Sequence, residues 1–187
     1  MRLTERVHED LKKHIHVGDC VIDATSGNGH DTLFLAQLVG VHGHVFSFDV
    51  QMQALEKTRQ RVEAHECLAP IEYIHHGHEY MQLDIPAMYH GQISAVVFNL
   101  GYLPQANHTL ITHPATTLCA LQQSISLLCQ GGVISVLVYT GHVGGRDEAT
   151  AIKTWLLTLD DSFEYNVEIP SNTRISPPEY IFIRKIK

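Results

Sequence analysis

The sequence predicts an α/β fold: a seven-stranded, mostly parallel sheet flanked by helices and ending in an antiparallel hairpin strand. Three observations predict it. Short apolar runs alternate with helix-length segments along the whole chain. The first run ends in Asp23 and passes through Gly27 and Gly29 into a helical pattern, which is the shape of a first βα turn. The last two runs are joined by a turn-rich loop in place of a helix, so they should pair antiparallel.

Taken in order, residues 3–15 read as an amphipathic helix, with Leu3, Val7, Leu11 and Ile15 at i, i+4 spacing. A strand over 20–25 and a helix over about 31–39 follow. Residues 45–50 form a second strand and 51–66 a helix with its charges on one side. A third strand at 71–75 leads into a short helix around 79–82. The fourth strand, 95–100, precedes a long irregular stretch that ends in a helix over about 115–128. A fifth strand at 132–139 and a helix at 146–159 complete the alternating part. Strands 163–169 and 180–186 close the chain across the turn-rich segment 170–178.

Composition narrows the classes. With 187 residues, 44% of them hydrophobic and 18% charged, the chain reads as one domain with length enough for a full core. Its longest apolar runs, such as 132–139, are strand-length and too short to span a membrane. The opening Met1-Arg2-Leu3-Thr4-Glu5-Arg6 carries charge where a signal peptide needs an apolar stretch, so a cytoplasmic location is expected. Four scattered cysteines without a Cys-x-x-Cys pair predict neither disulfides nor a zinc knuckle; Cys20, Cys119 and Cys129 read as small core residues. Among fourteen histidines, His75-His76-Gly77-His78 is the tempting cluster. No His-Glu-x-x-His motif or other ligand spacing accompanies it, and no metal is expected.

A net charge of −7 argues against nonspecific nucleic-acid binding, so a nucleic-acid partner would have to meet a local basic patch. The candidates are Arg2, Arg6, Lys12 and Lys13 along the first helix, and Arg146, Lys153 and Arg174 later in the chain; each reads equally as a solvated surface charge. Apolar positions on the opening helix and the closing strands fit either a homodimer interface or burial within the monomer.

Four stretches carry chemistry. The turn at 23–32 brings Asp23, Thr25, Gly27, Asn28, Gly29, Asp31 and Thr32 together after the first strand. Thr32 stands where the dinucleotide pattern has its third glycine, which argues against a nicotinamide cofactor. Asp49 ends the second strand, with Gln51 beside it. Its carboxylate suits the two hydroxyls of a ribose, and it equally suits a cap on the helix that begins at Gln51. Gly77 and His78 follow the third strand, either flanking a base or making an ordinary turn. Asn99-Leu100-Gly101-Tyr102 follows the fourth strand, and the glycine-rich Tyr139-Thr140-Gly141-His142-Val143-Gly144-Gly145 follows the fifth. On their own Asn99 reads as a turn former and Tyr102 as a core edge, and His142 is the one titratable side chain of its loop, lining a site or exposed to solvent.

The element order resembles the Rossmann-like plan of the class I methyltransferases, and Asp23 to Gly29 resembles their first motif, acid-x-x-x-Gly-x-Gly, with Thr25 where many members have another glycine. That resemblance implies S-adenosylmethionine as cofactor. Gly27 and Gly29 would pass under its methionine part, Asp23 would lie near its ammonium, Asp49 would take the ribose, and Gly77 and His78 would flank the adenine. Asn99 to Tyr102 is similar to the Asn/Asp-Pro-Pro-Tyr motif of amino-methyltransferases, with Leu-Gly in place of Pro-Pro. It implies that the Asn99 amide oxygen and a backbone carbonyl accept hydrogen bonds from the target amine, with Tyr102 against the substrate base.

Asp-Ala-Thr-x-Gly-Asn-Gly-x-Asp-Thr (23–32), Asn-Leu-Gly-Tyr-Leu-Pro (99–104) and Tyr-x-Gly-His-x-Gly-Gly (139–145), with Thr116-Thr117 and Ser176-Pro177-Pro178, together resemble the small methyltransferases labelled rRNA methylases, in particular the MnmM-type tRNA wobble-uridine enzymes. The resemblance runs from end to end. It implies methyl transfer to the exocyclic amine of 5-aminomethyl-2-thiouridine, with the tRNA anticodon stem-loop as partner. Gln105-Ala106-Asn107-His108 departs from the Gly-Gly-Asp-Lys-like stretch of many members. An alkylamine of pKa about 10.4 is mostly protonated at neutral pH, so reaching the neutral form costs about 4–5 kcal/mol. His142, His78 and Tyr102 are the candidate proton acceptors. The competing readings are a methyltransferase for rRNA or for a small-molecule amine, and a noncatalytic nucleotide-binding module.

Overall fold

The protein is described from a computed structural model over residues 3–101, 112–170 and 176–187. Helix α1 (Leu3–Leu11) precedes β1 (Cys20–Asp23), α2 (His30–Val39), β2 (His44–Phe48), α3 (Met52–Ala64) and β3 (Ile71–Ile74). Then come α4 (Met81–Asp84), β4 (Ile93–Leu100), α5 (Pro114–Leu127), β5 (Leu128–Val138), α6 (Gly145–Leu156), β6 (Phe163–Glu168) and β7 (Glu179–Lys185). Single turns of 3-10 helix lie at Gly40–His42, His78–Tyr80 and Ala87–Tyr89.

The seven strands form one sheet in the order β3-β2-β1-β4-β5-β7-β6. The first five are parallel, as helical crossovers require, and β7 runs antiparallel to both β5 and β6. The expected closing hairpin is therefore present, with the last strand in chain order inserted inside the sheet.

Alternation along the strands divides the core in two. Ile22, Phe46, Phe48, Val96, Phe98, Ile134, Val136 and Ile181 face α5, α6 and Met81 of α4. Val21, Val45, Ala95, Val97, Val133, Leu137 and Tyr180 face α1 and α2. Strands buried on both faces read as continuous apolar runs, which is why β4 and β5 were plain in the sequence. Val7, Leu11 and Ile15 are buried against the second of these cores, so the apolar stripe of the opening helix is spent within the monomer.

The largest boundary differences from expectation, four residues each, lie at the opening helix and the fifth strand. The opening helix stops at Leu11, although Ile15 still packs, because residues 12–14 leave the helix as a turn. The fifth strand starts at Leu128, four residues earlier than the apolar run suggests. Leu128 already pairs with Ile93, and the register then shifts before Ala95 meets Val133. Among the described residues, no helix is long and apolar enough to cross a membrane. All four cysteines are free thiols.

Candidate active-site cleft

In an open parallel sheet, ligands sit beyond the carboxyl ends of the strands where the strand order reverses. Here that point lies between β1 and β4, and a cleft of about 980 Å³ opens there. The turn after β1 supplies Thr25, Gly27, Asn28 and Asp31, and the end of β2 supplies Asp49 and Gln51. Gly77 and His78 come from the end of β3, Asn99 and Gly101 from β4, and Tyr139, Thr140, Gly141 and His142 from β5. Helix α1 adds Thr4 and His8, and the start of α5 adds Thr116.

Asp23, Gly29 and Thr32 stand behind this wall. Asp23 is fully buried; its carboxylate accepts the Thr32 hydroxyl at 2.5 Å and the Thr25 backbone N–H at 3.1 Å. Burial first, and then the Asp31 carboxylate, raise the Asp23 carboxyl to about 7. Hydroxyls continue the network under the turn: Thr32 to Ser47 at 2.9 Å, Ser47 to Ser26 at 2.8 Å and Ser26 to Thr58 at 2.8 Å. This buried chain ties β1, α2, β2 and α3 together. Gly29 is a glycine of necessity, since its φ is +78° and a Cβ there would lie 2.7 Å from the Thr58 Cα.

Asp49 is half-buried and accepts the Gly27 N–H at 2.9 Å through one oxygen and the Gln51 N–H at 2.9 Å through the other. The helix cap itself is Gln51, with no side-chain cap bond, so Asp49 braces the glycine turn more than it caps α3. Burial raises its carboxyl, and the two backbone N–H groups pull the other way. Each oxygen keeps a lone pair, and the residue lines the cleft.

At the opposite end, the Asn99 N–H donates to the Thr25 hydroxyl at 2.8 Å, which locks the last turn of β4 against that of β1. The Asn99 side-chain amide donates to Asp31, whose other oxygen lies 2.7 Å from Nε2 of His8. The Leu100 carbonyl accepts the Tyr139 N–H at 3.0 Å, and the Gly101 carbonyl accepts the Thr112 N–H at 3.2 Å. Tyr102 and residues 105–108 lie outside the described residues, as do Arg2 and Arg174.

The histidines of the third strand's end diverge. His75 contacts the Val50 carbonyl, His76 contacts Asp84 and stacks on Tyr80, and buried His78 donates from Nδ1 to the Ala24 carbonyl at 3.2 Å. Burial lowers the His78 pKa and keeps that ring neutral. No group of three or more His, Cys, Asp or Glu is placed to hold a metal among the described residues. His142 donates from Nδ1 to the Val143 carbonyl at 2.9 Å and stands at the cleft wall, next to the close approach of Gly145 to Tyr139.

Several cleft residues had no sequence signal. His8 and Thr4 reach the site only because α1 folds back over α2. Glu148, buried in α6 behind the cleft, accepts the hydroxyls of Thr112 at 2.8 Å and Thr117 at 2.6 Å, which ties α5 and the residues just before it to α6. Of the basic candidates, Arg6 pairs with Asp10, Lys12 with Glu9, Lys13 with Asp10 and Lys153 with Glu179, and Arg146 donates to Ser176. A cleft walled by Asp31 and Asp49, with backbone exposed at a glycine turn, suits a cationic, ribose-bearing cofactor.

The family model described as "Putative rRNA methylase" matches residues 45–184. A relative from Arabidopsis thaliana, named as the chloroplastic tRNA (mnm(5)s(2)U34)-methyltransferase, is 36% identical over 165 residues. The match covers 82% of this chain and spans 58% of that relative's length. A solved structure from Clostridium thermocellum, described as a "putative rRNA-methylase", superposes with a TM-score of 0.92 at 36% identity, covering 98% of this chain and 97% of that one. A second, a "putative methyltransferase" from Streptococcus mutans in complex with SAH, has a TM-score of 0.87 at 36% identity, covering 100% of this chain and 99% of that one.

Proposed function

The chain belongs to the family described as "Putative rRNA methylase", and from that premise we propose that it methylates the exocyclic amine of 5-aminomethyl-2-thiouridine at the tRNA wobble position, using S-adenosylmethionine. The observation that carries the amine reading is Asn99: its side-chain N–H is committed to Asp31 at the mouth of the β1/β4 crevice, which leaves the amide oxygen as an acceptor for a substrate N–H. The Arabidopsis relative's name supports the wobble uridine, and the SAH complex of the Streptococcus mutans relative supports the cofactor.

When bound, S-adenosylmethionine supplies an electrophilic methyl group on a sulfonium. Asp49 has the lone pairs to take a ribose diol, and the turn from Thr25 to Asn28 exposes backbone at the cleft wall. Asp31 and Asp49 favour a positively charged ligand. Asn99 orients the amine so that its lone pair points across the cleft, and most of the rate comes from that alignment. The neutral amine costs about 4–5 kcal/mol to reach at pH 7, part of which desolvation in the cleft offsets.

With Arg6, Lys12, Lys13 and Lys153 paired to acids, the protein would hold the anticodon stem-loop by shape and by a base turned out into the cleft, where Tyr139 offers an aromatic surface. The deciding experiment is mass analysis of wobble nucleosides from a deletion strain, followed by methylation of that tRNA with purified protein. Accumulated 5-aminomethyl precursor that the protein then methylates is the expected result. Absence of the precursor, in a strain that normally makes the methylated form, overturns it in favour of an rRNA or small-molecule acceptor.

A further inference from the structure

We propose that His8 and Asp31 act as a positioning pair that fixes the Asn99 carboxamide with its oxygen toward the substrate; the inference rests on the amine-methylation reading above. Neither residue belongs to the four-residue motif at Asn99, and His8 comes from a helix outside the segment that the family model matches.

The Asn99 amide faces Asp31 with its NH2 side, which donates to a carboxyl oxygen of Asp31. The oxygen is thereby turned the other way. Without such a partner the terminal torsion of asparagine is broad and roughly two-fold, and half of the molecules would present NH2 to an incoming amine. The Asn99 backbone is already held by Thr25, so this torsion is the freedom that remains.

Asp31 is itself held. His8 lies 2.7 Å from its other oxygen, and the His8 ring stacks on Phe34 of α2, with ring centroids 3.7 Å apart and planes 3° apart. Val7 and Leu11, the neighbours of His8 on α1, are buried in the core, so the ring is placed by packing. The pair is mostly buried, with side-chain exposures of 29% and 20%, which makes the contact stronger than an exposed pair. Helix α1 thus reaches the reacting end of the cleft through a relay of side chains: Phe34 sets His8, His8 sets Asp31, and Asp31 sets Asn99.

The test uses the full chain with His8→Ala, His8→Gln and Asp31→Ala. Three readouts are taken: steady-state methylation of tRNA carrying the aminomethyl precursor, cofactor affinity by calorimetry, and the Asn99 side-chain NH2 resonances, assigned from their loss in Asn99→Asp. His8→Ala is expected to lower kcat about 10-fold while KM for tRNA and the cofactor Kd stay within roughly two-fold; Asp31→Ala is expected to lower kcat about 100-fold and also to weaken the cofactor, because its charge is lost from the cleft wall. His8→Gln, whose amide can still donate to Asp31, should recover most of kcat. The Asn99 NH2 protons should shift upfield in both alanine variants and return in His8→Gln. Unchanged resonances in both alanine variants, or a cofactor Kd that weakens in step with kcat in His8→Ala, would overturn the positioning role. A wild-type protein that methylates no aminomethyluridine sinks the substrate reading alone, because the resonances still decide how the amide is held.

Discussion

Asp49 accepts the backbone N–H of Gly27 at 2.9 Å, so the acid that ends the second strand shapes the glycine turn that ends the first. One carboxylate thereby braces the ends of β1 and β2 against each other. Asp49→Ala should weaken S-adenosylmethionine binding by about 10- to 100-fold, the worth of hydrogen bonds to a charged acceptor. Calorimetric titration measures it directly, and affinity equal to wild type would leave Asp49 a bracing role only.

Asn99→Ala removes the amide oxygen at the crevice between β1 and β4. Turnover on precursor tRNA should fall by about 100- to 1000-fold, as for other lost transition-state contacts. Cofactor affinity should change little, because Asp49 and the glycine turn are untouched. A parallel loss of both would move Asn99 from the amine to the cofactor.

Burial of Asp23 carries a pH signature. Its carboxyl rises from an ordinary 3.8 to about 7, so the folded protein holds a proton that the unfolded chain releases between those values. The stability this contributes is complete below pH 3.8 and is lost as pH rises through 7. Asp23→Asn is neutral throughout and escapes that loss. Its melting temperature relative to wild type should therefore be higher at pH 8 than at pH 5 by several degrees; a constant difference across that range would mean the carboxyl is ionised when folded.

Gly29→Ala forces a side chain into a left-handed backbone and against the Thr58 backbone. A destabilisation of at least about 2 kcal/mol is expected, visible in urea denaturation. The same change should disturb cofactor binding, since Gly29 closes the turn that begins at Ser26.

These residues also mark what was legible in the sequence. Strands such as β4 and β5 are buried on both faces and therefore spell themselves as continuous apolar runs, and the turn at Gly27 and Gly29 follows β1 in plain view. The element order gave the parallel sheet and its closing antiparallel strand pair. The start of β5 was hidden because Leu128 joins the sheet before a register shift that no local pattern encodes. Asp23 reads from sequence as a ligand-facing acid, yet a fully buried carboxylate and an exposed one look alike until Thr32 and Thr25 are seen to surround it. His8 and Glu148 were invisible for a related reason: their partners are 23, 31 and 36 residues away, and only the folded chain brings them together.

The position of β7 bears on how this chain folds. Residues 179–185 pair with β5 on one side and β6 on the other, although they are made after both. Until they emerge, β5 offers a bare edge lined by Val133 to Val138, and β6 has no neighbour at all. Synthesis thus leaves a gap between β5 and the edge strand β6 that β7 fills, so the nascent protein carries a sticky seam at least until residue 185 has been added.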